Sequence, residues 1–353
     1  MSASFSCVPP LNLCSSVNYT NPEVPSQIAI ASSTVSCLGS IAIIISYIAV
    51  KEFRTNAQTI IMLLAIADLF TSFGYIVGSV NFLTHWDKNV TSTADCHTFN
   101  VMCQAQSYLT TWSSICSQAW TCLLAAYLLL VTLRPTKLGV RALVLSNVLV
   151  WGLPLVPVSV LVGKQHLGYS TMSAAGWCFI GDHTANESMG LVTFLTLVGG
   201  KFTEIFTYIF VIVAYVITLY HMCKVRGCNQ TCVEMRLLII PAVYLALRIW
   251  GTTHFFYTLG LFHQCIDADS ITAVKILRIF QAIGDPGQGW ANAILYILLS
   301  SVYRRKLIYT PLIALASYLV AIATRTLQGC VKFSLNINSG GRIVTEQTPL
   351  LEP

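Results

Sequence analysis

Long blocks of apolar residues alternate with short polar segments along most of the chain. A bilayer core about 30 Å thick requires roughly 20 predominantly apolar residues in an α-helix. Seven blocks reach this length, at 28–50, 57–83, 103–131, 142–163, 188–219, 236–260 and 271–300. The pattern therefore predicts an all-α membrane protein, a seven-transmembrane helix bundle that occupies residues 28–303.

The composition indicates that lipid is the solvent of these blocks. Of the 353 residues, 55% are hydrophobic and only 10% are charged, whereas a soluble domain carries about 25% charged residues. The net charge of +6 is dispersed, and no basic stripe with interleaved aromatic residues is present. We therefore expect the lipid bilayer as a partner and no nucleic acid.

The orientation follows from the basic residues near the span ends, which are retained in the cytosol. One side of the predicted bundle has eleven of them, at Lys51, Arg54, Arg134, Lys137, Arg141, Lys224, Arg226, Arg236, Arg304, Arg305 and Lys306. The other side has two, Lys88 and Lys164. We predict an extracellular tail at 1–27 and a cytoplasmic tail at 304–353. The expected location is the plasma membrane, with the ciliary membrane as one candidate part of it.

Glycosylation sequons fit this topology. Asn18, Asn89 and Asn186 begin N-x-Ser/Thr motifs on the predicted outer side, where sugar can be attached. Asn229 begins a fourth motif in the third inner loop and is expected to stay unmodified.

An apolar segment at 307–323 follows the seventh block and is interrupted by Pro311. Its 17 residues are at the low edge of a spanning length. We interpret it as an interfacial eighth helix held at the cytosolic surface by the basic residues before it. A true eighth span, which would place the C-terminus outside, is the alternative.

Five ionisable residues lie within the predicted spans, namely Asp68, Lys201, Glu204, Arg248 and Asp285. Charge inside a bilayer is costly, so such residues turn inward to a partner or a cavity. Polar pairing within the bundle and a functional site are both open interpretations. Because an unpaired guanidinium would be costly, we expect Glu204 to pair with Arg248 and to leave Lys201 free.

The seventh block carries a polar stripe at helical spacing, which indicates an inward face. The predicted ligand-binding residues are Lys201, Lys275, Arg278 and Asp285. The predicted polar network of the bundle is Asp68, Glu204, Arg248, Gln288 and Asn292. A cationic outer vestibule would take an anionic or polar ligand; in the alternative, its long side chains extend to lipid headgroups.

Helix-weakening residues surround Asp285, at Gly284, Pro286, Gly287 and Gly289. Proline and glycine at these positions predict an interruption of the seventh helix. Whether the interruption acts as a hinge or as a static kink is left open by the sequence.

The cysteines predict a covalent link on the outer side. Cys103, at the start of the third span, and Cys178, in the second outer loop, form the best disulfide pair. Cys7, Cys14, Cys96 and Cys265 are also outside, but the sequence does not fix their connectivity. No P-loop, H-E-x-x-H or G-x-S-x-G motif is present, so no enzyme activity, metal or cofactor is expected.

Several strings occur in a characteristic order: A-I-A-D-L ending at Leu69, Trp120 seventeen residues after Cys103, W-G-L-P at 151–154, G-W-C-F-I at 176–180, G-K-F-T-E-I-F-T-Y at 200–208, L-I-I-P-A-V-Y-L-A-L-R-I-W at 238–250 and Q-G-W-A-N at 288–292. In these residues the chain resembles seven-helix receptors related to the slime-mould cyclic-AMP receptors and, more distantly, to the secretin-like receptors. The resemblance covers about residues 28–303.

The resemblance implies a G-protein-coupled receptor that passes an unknown extracellular signal to a heterotrimeric G protein on the cytoplasmic face, through the Gq and phospholipase C arm. The sequence shows neither the Asp-Arg-Tyr nor the Asn-Pro-x-x-Tyr motif of rhodopsin-like receptors. Because the predicted outer tail is short, we expect no large cysteine-rich ectodomain and no peptide hormone of the secretin type. The alternative function is a transporter or channel whose permeation path is lined by the charged stripe.

The end of the chain resembles the acidic dileucine signal that clathrin adaptors bind. Glu346, Leu350 and Leu351 provide the acidic and leucine positions of this motif. A clathrin adaptor is therefore an expected partner, provided that the tail is cytosolic.

Overall fold

The fold is described from a computed structural model, which describes residues 23–51, 54–86, 93–133, 139–164, 166–168, 176–180, 189–221, 224, 232–261 and 268–299. Its helices are α1 (Glu23–Ala49), α2 (Asn56–Trp86), α3 (Thr93–Leu133), α4 (Val140–Gly152), α5 (Leu155–Gly163), α6 (Met189–Thr196), α7 (Phe202–His221), α8 (Cys232–Leu261), α9 (Ala268–Gly284) and α10 (Gln288–Leu299). The predicted segment at 307–323 lies outside the described residues.

Three pairs of these helices are joined end to end. α4 and α5 meet at Pro154, which lacks a backbone N–H and so interrupts the helical hydrogen bonds. α6 and α7 are joined by a π-helical turn, Leu197–Lys201. α9 and α10 meet at Asp285, Pro286 and Gly287, where the predicted interruption is confirmed. With each pair counted once, the described residues form seven helical rods, as predicted.

Five rods are long and apolar enough to cross a membrane by length and composition, at Glu23–Ala49, Asn56–Thr84, His97–Leu133, Val140–Gly163 and Thr193–His221. The seventh rod consists of helices of 17 and 12 residues, so neither half reaches spanning length alone. The sixth rod, α8, carries several charged residues, Arg248 among them. The sixth and seventh rods are two of the five rods that line the polar cavity described below.

Small side chains let the first and seventh rods approach closely. Ser33, Ser36 and Ser40 repeat at helical spacing on α1 and are fully buried. Gly39 on α1 faces Gly289 on α10, and a Cβ at Gly39 would lie 2.9 Å from the Gly289 carbonyl oxygen. Helices in lipid gain association from such close contact of small residues, since no hydrophobic effect drives them together.

Serine hydroxyls from α1 also satisfy carbonyls that the break in the seventh rod releases. Ser32 Oγ donates to the Ile283 carbonyl oxygen at 2.8 Å, and Ser36 Oγ donates to that of Pro286 at 2.5 Å. Unpaired backbone groups in a bilayer cost several kcal/mol each, so a broken helix needs partners of this kind. The break is thus stabilised from the side of the first rod.

A short hairpin lies above the third rod. Strand β1 (Leu167–Gly168) pairs antiparallel with β2 (Phe179–Ile180), with Leu167 opposite Ile180. A disulfide joins Cys178, next to β2, to Cys103 on α3, with the Cα atoms 5.4 Å apart, which confirms the expected pair. Gly176 before it has φ of 99°, a left-handed conformation that favours glycine. The hairpin is therefore held against the bundle.

Candidate functional site

A polar cavity lies under this hairpin, between the second, third, fifth, sixth and seventh rods. It is lined by Tyr75, Thr110, Thr111, Ser114, Ile115, Gln118, Trp177, Phe179, Gly200, Lys201, Glu204, Arg248, Gln281 and Asp285. The cavity has a volume of about 50 Å³. That space exceeds the roughly 10–15 Å³ that one water molecule needs.

The roof of the cavity is fixed by aromatic and polar contacts. Trp177 meets the ring of Tyr75 on α2 edge to face, with ring centroids 4.7 Å apart. The Cys178 backbone N–H donates to Gln106 Oε1 on α3 at 3.0 Å. Together with the disulfide, these contacts hold Trp177 and Phe179 over the cavity.

The fifth rod contributes a buried ion pair. Lys201 Nζ lies 2.8 Å from Glu204 Oε2, and the residues are 7% and 4% exposed. Tyr208 donates its hydroxyl to the other carboxylate oxygen at 2.6 Å and meets Thr252 Oγ1 on α8 at 3.1 Å. The expectation that Glu204 pairs with Arg248 and leaves Lys201 free was therefore wrong. The Glu204 carboxylate pairs instead with Lys201, which lies three residues earlier on the same face of the fifth rod.

Arg248 enters the cavity from α8 and is 3% exposed. Its charged electrostatic neighbours are Asp285 and Glu204. Within the described part of the chain, Nε and Nη2 have no hydrogen-bond partner, and no carboxylate oxygen lies within the 4.0 Å that defines an ion pair. The guanidinium thus presents two donor nitrogens beside the cavity.

Asp285 occupies the break in the seventh rod and is 5% exposed. Its Oδ2 accepts a hydrogen bond from Gln281 Nε2 at 3.0 Å, and Gln281 Oε1 lies 2.7 Å from His254 Nδ1. Oδ1 has no partner among the described residues. On α8, a Cβ at Gly251 would lie 2.8 Å from Oδ2, so glycine is what allows the carboxylate to sit there.

Two neutral side chains on α3 share this property. Thr111 Oγ1 and Gln118 Oε1 are buried, line the cavity and have no partner within the described ranges. Buried polar atoms are almost always hydrogen-bonded, so a group of them around one cavity without partners among the described residues indicates a binding site for a polar ligand or water. Sequence reasoning missed both residues, although Thr111, Ser114 and Gln118 follow helical spacing on the third span.

The predicted polar network divides in two. Asp68 accepts hydrogen bonds from Ser117 Oγ at 2.6 Å and from Asn292 Nδ2 at 2.8 Å, which ties the second, third and seventh rods together. Gln288 is buried nearby in sequence, with both amide atoms unpaired among the described residues. Glu204 and Arg248, in contrast, belong to the cavity wall.

The predicted ligand-binding residues are only partly brought together. Lys201 and Asp285 line the cavity, whereas Lys275 and Arg278 are not among its lining residues. Lys275 is exposed and Arg278 is buried elsewhere on α9. The sequons at Asn18, Asn89 and Asn186 and the motif at Glu346, Leu350 and Leu351 lie outside the described residues. So do Cys7, Cys14 and Cys265, together with the side chain of Cys96.

Seven helical rods with a disulfide-tethered hairpin over a polar cavity define the fold of G-protein-coupled receptors. Squid rhodopsin superimposes with a TM-score of 0.58 at 13% sequence identity, over 82% of this chain and 85% of the rhodopsin chain. The fold class predicted from the sequence is therefore confirmed.

Sequence comparison adds particular relatives. The chain is 24% identical over 302 residues to G-protein coupled receptor 157 of Mus musculus, which covers 79% of this chain and 83% of the mouse protein. It is 25% identical over 308 residues to the Homo sapiens protein of the same name, with 80% and 84% covered. No protein-family model matches the chain. These similarities confirm the predicted resemblance to multi-pass seven-helix receptors, whose named members are receptors and not enzymes, and they do not favour the transporter alternative.

Proposed function

We propose that this chain is a plasma-membrane receptor that binds an extracellular ligand in the cavity under the hairpin and activates a heterotrimeric G protein on the cytoplasmic face. The observation that carries the proposal is a group of buried polar atoms around that cavity that have no partner within the described part of the chain, contributed by Thr111, Gln118, Arg248 and Asp285. A pocket with a few convergent polar groups is the default binding site of such a fold.

The cavity is well placed to change the arrangement of the rods. Arg248 is on the sixth rod, and Asp285 is at the break of the seventh. A ligand shifts a two-state equilibrium only as far as it binds one state better than the other. A ligand that contacts both side chains would favour the spacing of these rods that fits it, and their inner ends would transmit the change to the G protein.

We assign the Gq and phospholipase C arm as the output, and purified components test it directly. The full chain in lipid nanodiscs is mixed with a panel of purified heterotrimers, and nucleotide exchange is measured. Exchange is expected to accelerate most on Gq, and Arg248→Ala is expected to change that rate. Acceleration on a different Gα alone would overturn the assignment of Gq. A current or solute flux through vesicles, with no exchange on any Gα, would overturn the receptor function.

The topology forms part of the proposal. Tail 1–27 is outside, Asn18, Asn89 and Asn186 carry glycans, and Asn229 does not. An epitope at the N-terminus should be labelled on intact cells, including the ciliary membrane where cells have one. Glycosidase treatment should shift the gel mobility of the wild type. The shift should become smaller with each of the three outer asparagines that is replaced. Sugar on Asn229 would reverse the orientation.

The C-terminal part of the proposal concerns 304–353. The segment 307–323 lies on the inner membrane surface, and Glu346, Leu350 and Leu351 bind a clathrin adaptor. Replacing both leucines with alanine should raise the surface amount of the receptor and slow its uptake. Labelling of a C-terminal epitope on intact cells would instead establish an eighth span and exclude the adaptor.

A further inference from the structure

The two unpaired nitrogens of Arg248 determine which group can bind there. Nε and Nη2 lie on the same edge of the guanidinium, so their N–H bonds point in parallel. Such an edge fits the two oxygens of a carboxylate in a bidentate pair. A neutral hydroxyl or carbonyl could accept from this edge but would leave the positive charge of the guanidinium uncompensated, whereas a carboxylate offers one oxygen to each nitrogen and neutralises the charge.

Asp285 presents the opposite requirement. Its Oδ2 is occupied by Gln281, while Oδ1 has no donor among the described residues. A buried carboxylate oxygen is best satisfied by a donor, and an ammonium group also neutralises its charge. Gln118 Oε1 also lines the cavity, has no partner among the described residues and is a further acceptor for the same kind of donor.

The charges of the cavity select between an ion and a zwitterion. Lys201 and Glu204 neutralise each other at 2.8 Å. Arg248 and Asp285 remain as one positive and one negative charge, not within 4.0 Å of each other and both at least nine-tenths buried. A simple anion would leave Asp285 unpaired, and a simple cation would leave Arg248 unpaired. Either outcome buries an uncompensated charge, which is strongly unfavourable.

We infer that the cavity binds a small zwitterion, an amino-acid-like molecule whose carboxylate pairs with the Nε and Nη2 edge of Arg248 and whose ammonium group donates to Asp285. This inference rests on the proposed function, because it names the ligand class of the same site. The 50 Å³ open to water-sized molecules limits the ligand to a few heavy atoms unless the roof formed by Trp177 and Phe179 moves.

The test is a binding panel on the purified full chain in nanodiscs, with thermal shift and calorimetry as readouts. The zwitterions are glycine, β-alanine and γ-aminobutyrate, whose charges are separated by increasing lengths of chain. Each has two matched halves, the carboxylic acid without the ammonium group and the amine without the carboxylate. We expect one zwitterion to bind at least roughly tenfold more tightly than either of its halves, since each half forfeits one charge-assisted pair.

Variants assign the two ends of the ligand. Arg248→Lys keeps the positive charge but loses the two parallel N–H donors of the guanidinium. The variant should therefore bind the zwitterion and the acid alike more weakly, by roughly tenfold or more. Asp285→Asn keeps the shape and should remove the advantage of the zwitterion over the acid. Lys275→Gln, a cation on the same rod away from the cavity lining, is the matched control and should leave every affinity unchanged.

Each remaining outcome counts against the inference. Equal binding of zwitterion and acid to the wild type would overturn it without reference to any variant, as would a wild type that no probe stabilises. Loss of binding in Lys275→Gln would place the site elsewhere. Failure of the proposed function is separate: a zwitterion that binds but leaves nucleotide exchange unchanged on every Gα would refute the receptor role and keep the ligand class.

Discussion

Gly289→Ala tests whether close contact between the first and seventh rods holds the break of the seventh rod. In the structure, a Cβ at Gly289 would lie 2.6 Å from the Ser36 carbonyl oxygen and 2.5 Å from Ser40 Oγ. The first of these atoms is backbone and cannot rotate away. Because ordinary contact begins at 3.4 Å, the two rods must separate locally by about 0.8 Å.

That separation acts on two hydrogen bonds of Ser36. Its Oγ donates to the Pro286 carbonyl oxygen at 2.5 Å and accepts from the Trp290 backbone N–H at 3.2 Å. Overpacking costs about 1–3 kcal/mol, and each weakened hydrogen bond costs about 0.5–1.5 kcal/mol. Alanine returns about 0.5–1 kcal/mol through its better helix propensity. We therefore expect a net destabilisation of about 2–4 kcal/mol.

The assay is thermal unfolding of the purified receptor, followed by intrinsic fluorescence at matched lipid composition. The matched control is Gly152→Ala, since a Cβ there meets nothing within 4 Å. The control should be neutral or slightly stabilising. Equal stability of Gly289→Ala and Gly152→Ala would refute the argument that the seventh rod is held by close packing on α1.

Three further changes test other contacts. Cys178→Ser removes the disulfide that ties the hairpin to α3 across a sequence separation of 75, and the free energy of unfolding should fall by about 2–4 kcal/mol. An unchanged melting temperature would contradict a structural role of the disulfide. Asp68→Ala removes the acceptor of Asn292 Nδ2 and should cost about 1–3 kcal/mol; in a double-mutant cycle with Asn292→Ala, fully additive losses would exclude that bond. Glu204→Gln leaves the buried Lys201 cation without its carboxylate partner and should lower the free energy of unfolding by about 3–5 kcal/mol. Lys201→Met in the same chain should recover much of this loss, and no recovery would count against the pair.

Length and hydropathy were sufficient to predict the rods, because spanning a bilayer imposes a minimum run of apolar residues whatever the tertiary contacts. The interruption at 285–287 was equally predictable, since proline lacks the N–H that a continuous helix needs. The Cys103–Cys178 pair was predicted from the place of one cysteine at the outer start of the third span and of the other in the second outer loop, and the structure confirms it. These features depend on local chemistry or on the membrane itself.

Pairing inside the bundle could not be predicted in the same way. Helical spacing placed Lys201 and Glu204 on one face, but it gives no distance from that face to Arg248 on another rod. The π-helical turn Leu197–Lys201 also includes the first residue of this pair, and no residue pattern considered in the sequence indicated that turn. The local pair therefore formed where a pair between rods was expected.

The cavity walls were missed for a different reason. A search for ionisable residues in apolar spans finds Asp285 and Arg248 but passes over neutral ones such as Thr111 and Gln118. In a bilayer an unpaired hydroxyl or amide also needs a hydrogen-bond partner, although burying it costs less than burying a charge. Such a residue therefore also indicates an inward-facing site. A stripe of neutral polar residues at helical spacing is the signal that would have found this wall.

The two sides of the break in the seventh rod now have different roles. On the side of α1, the Ile283 and Pro286 carbonyls are satisfied by serine hydroxyls, so that side is already stabilised without a ligand. On the side of the cavity, Asp285 Oδ1 has no hydrogen-bond partner among the residues that the structure describes. Under the proposed function, a ligand bound to Asp285 would act on a rod that the contacts with α1 hold from the other side. The strength of those contacts sets how much differential binding energy is needed before the rod changes its position.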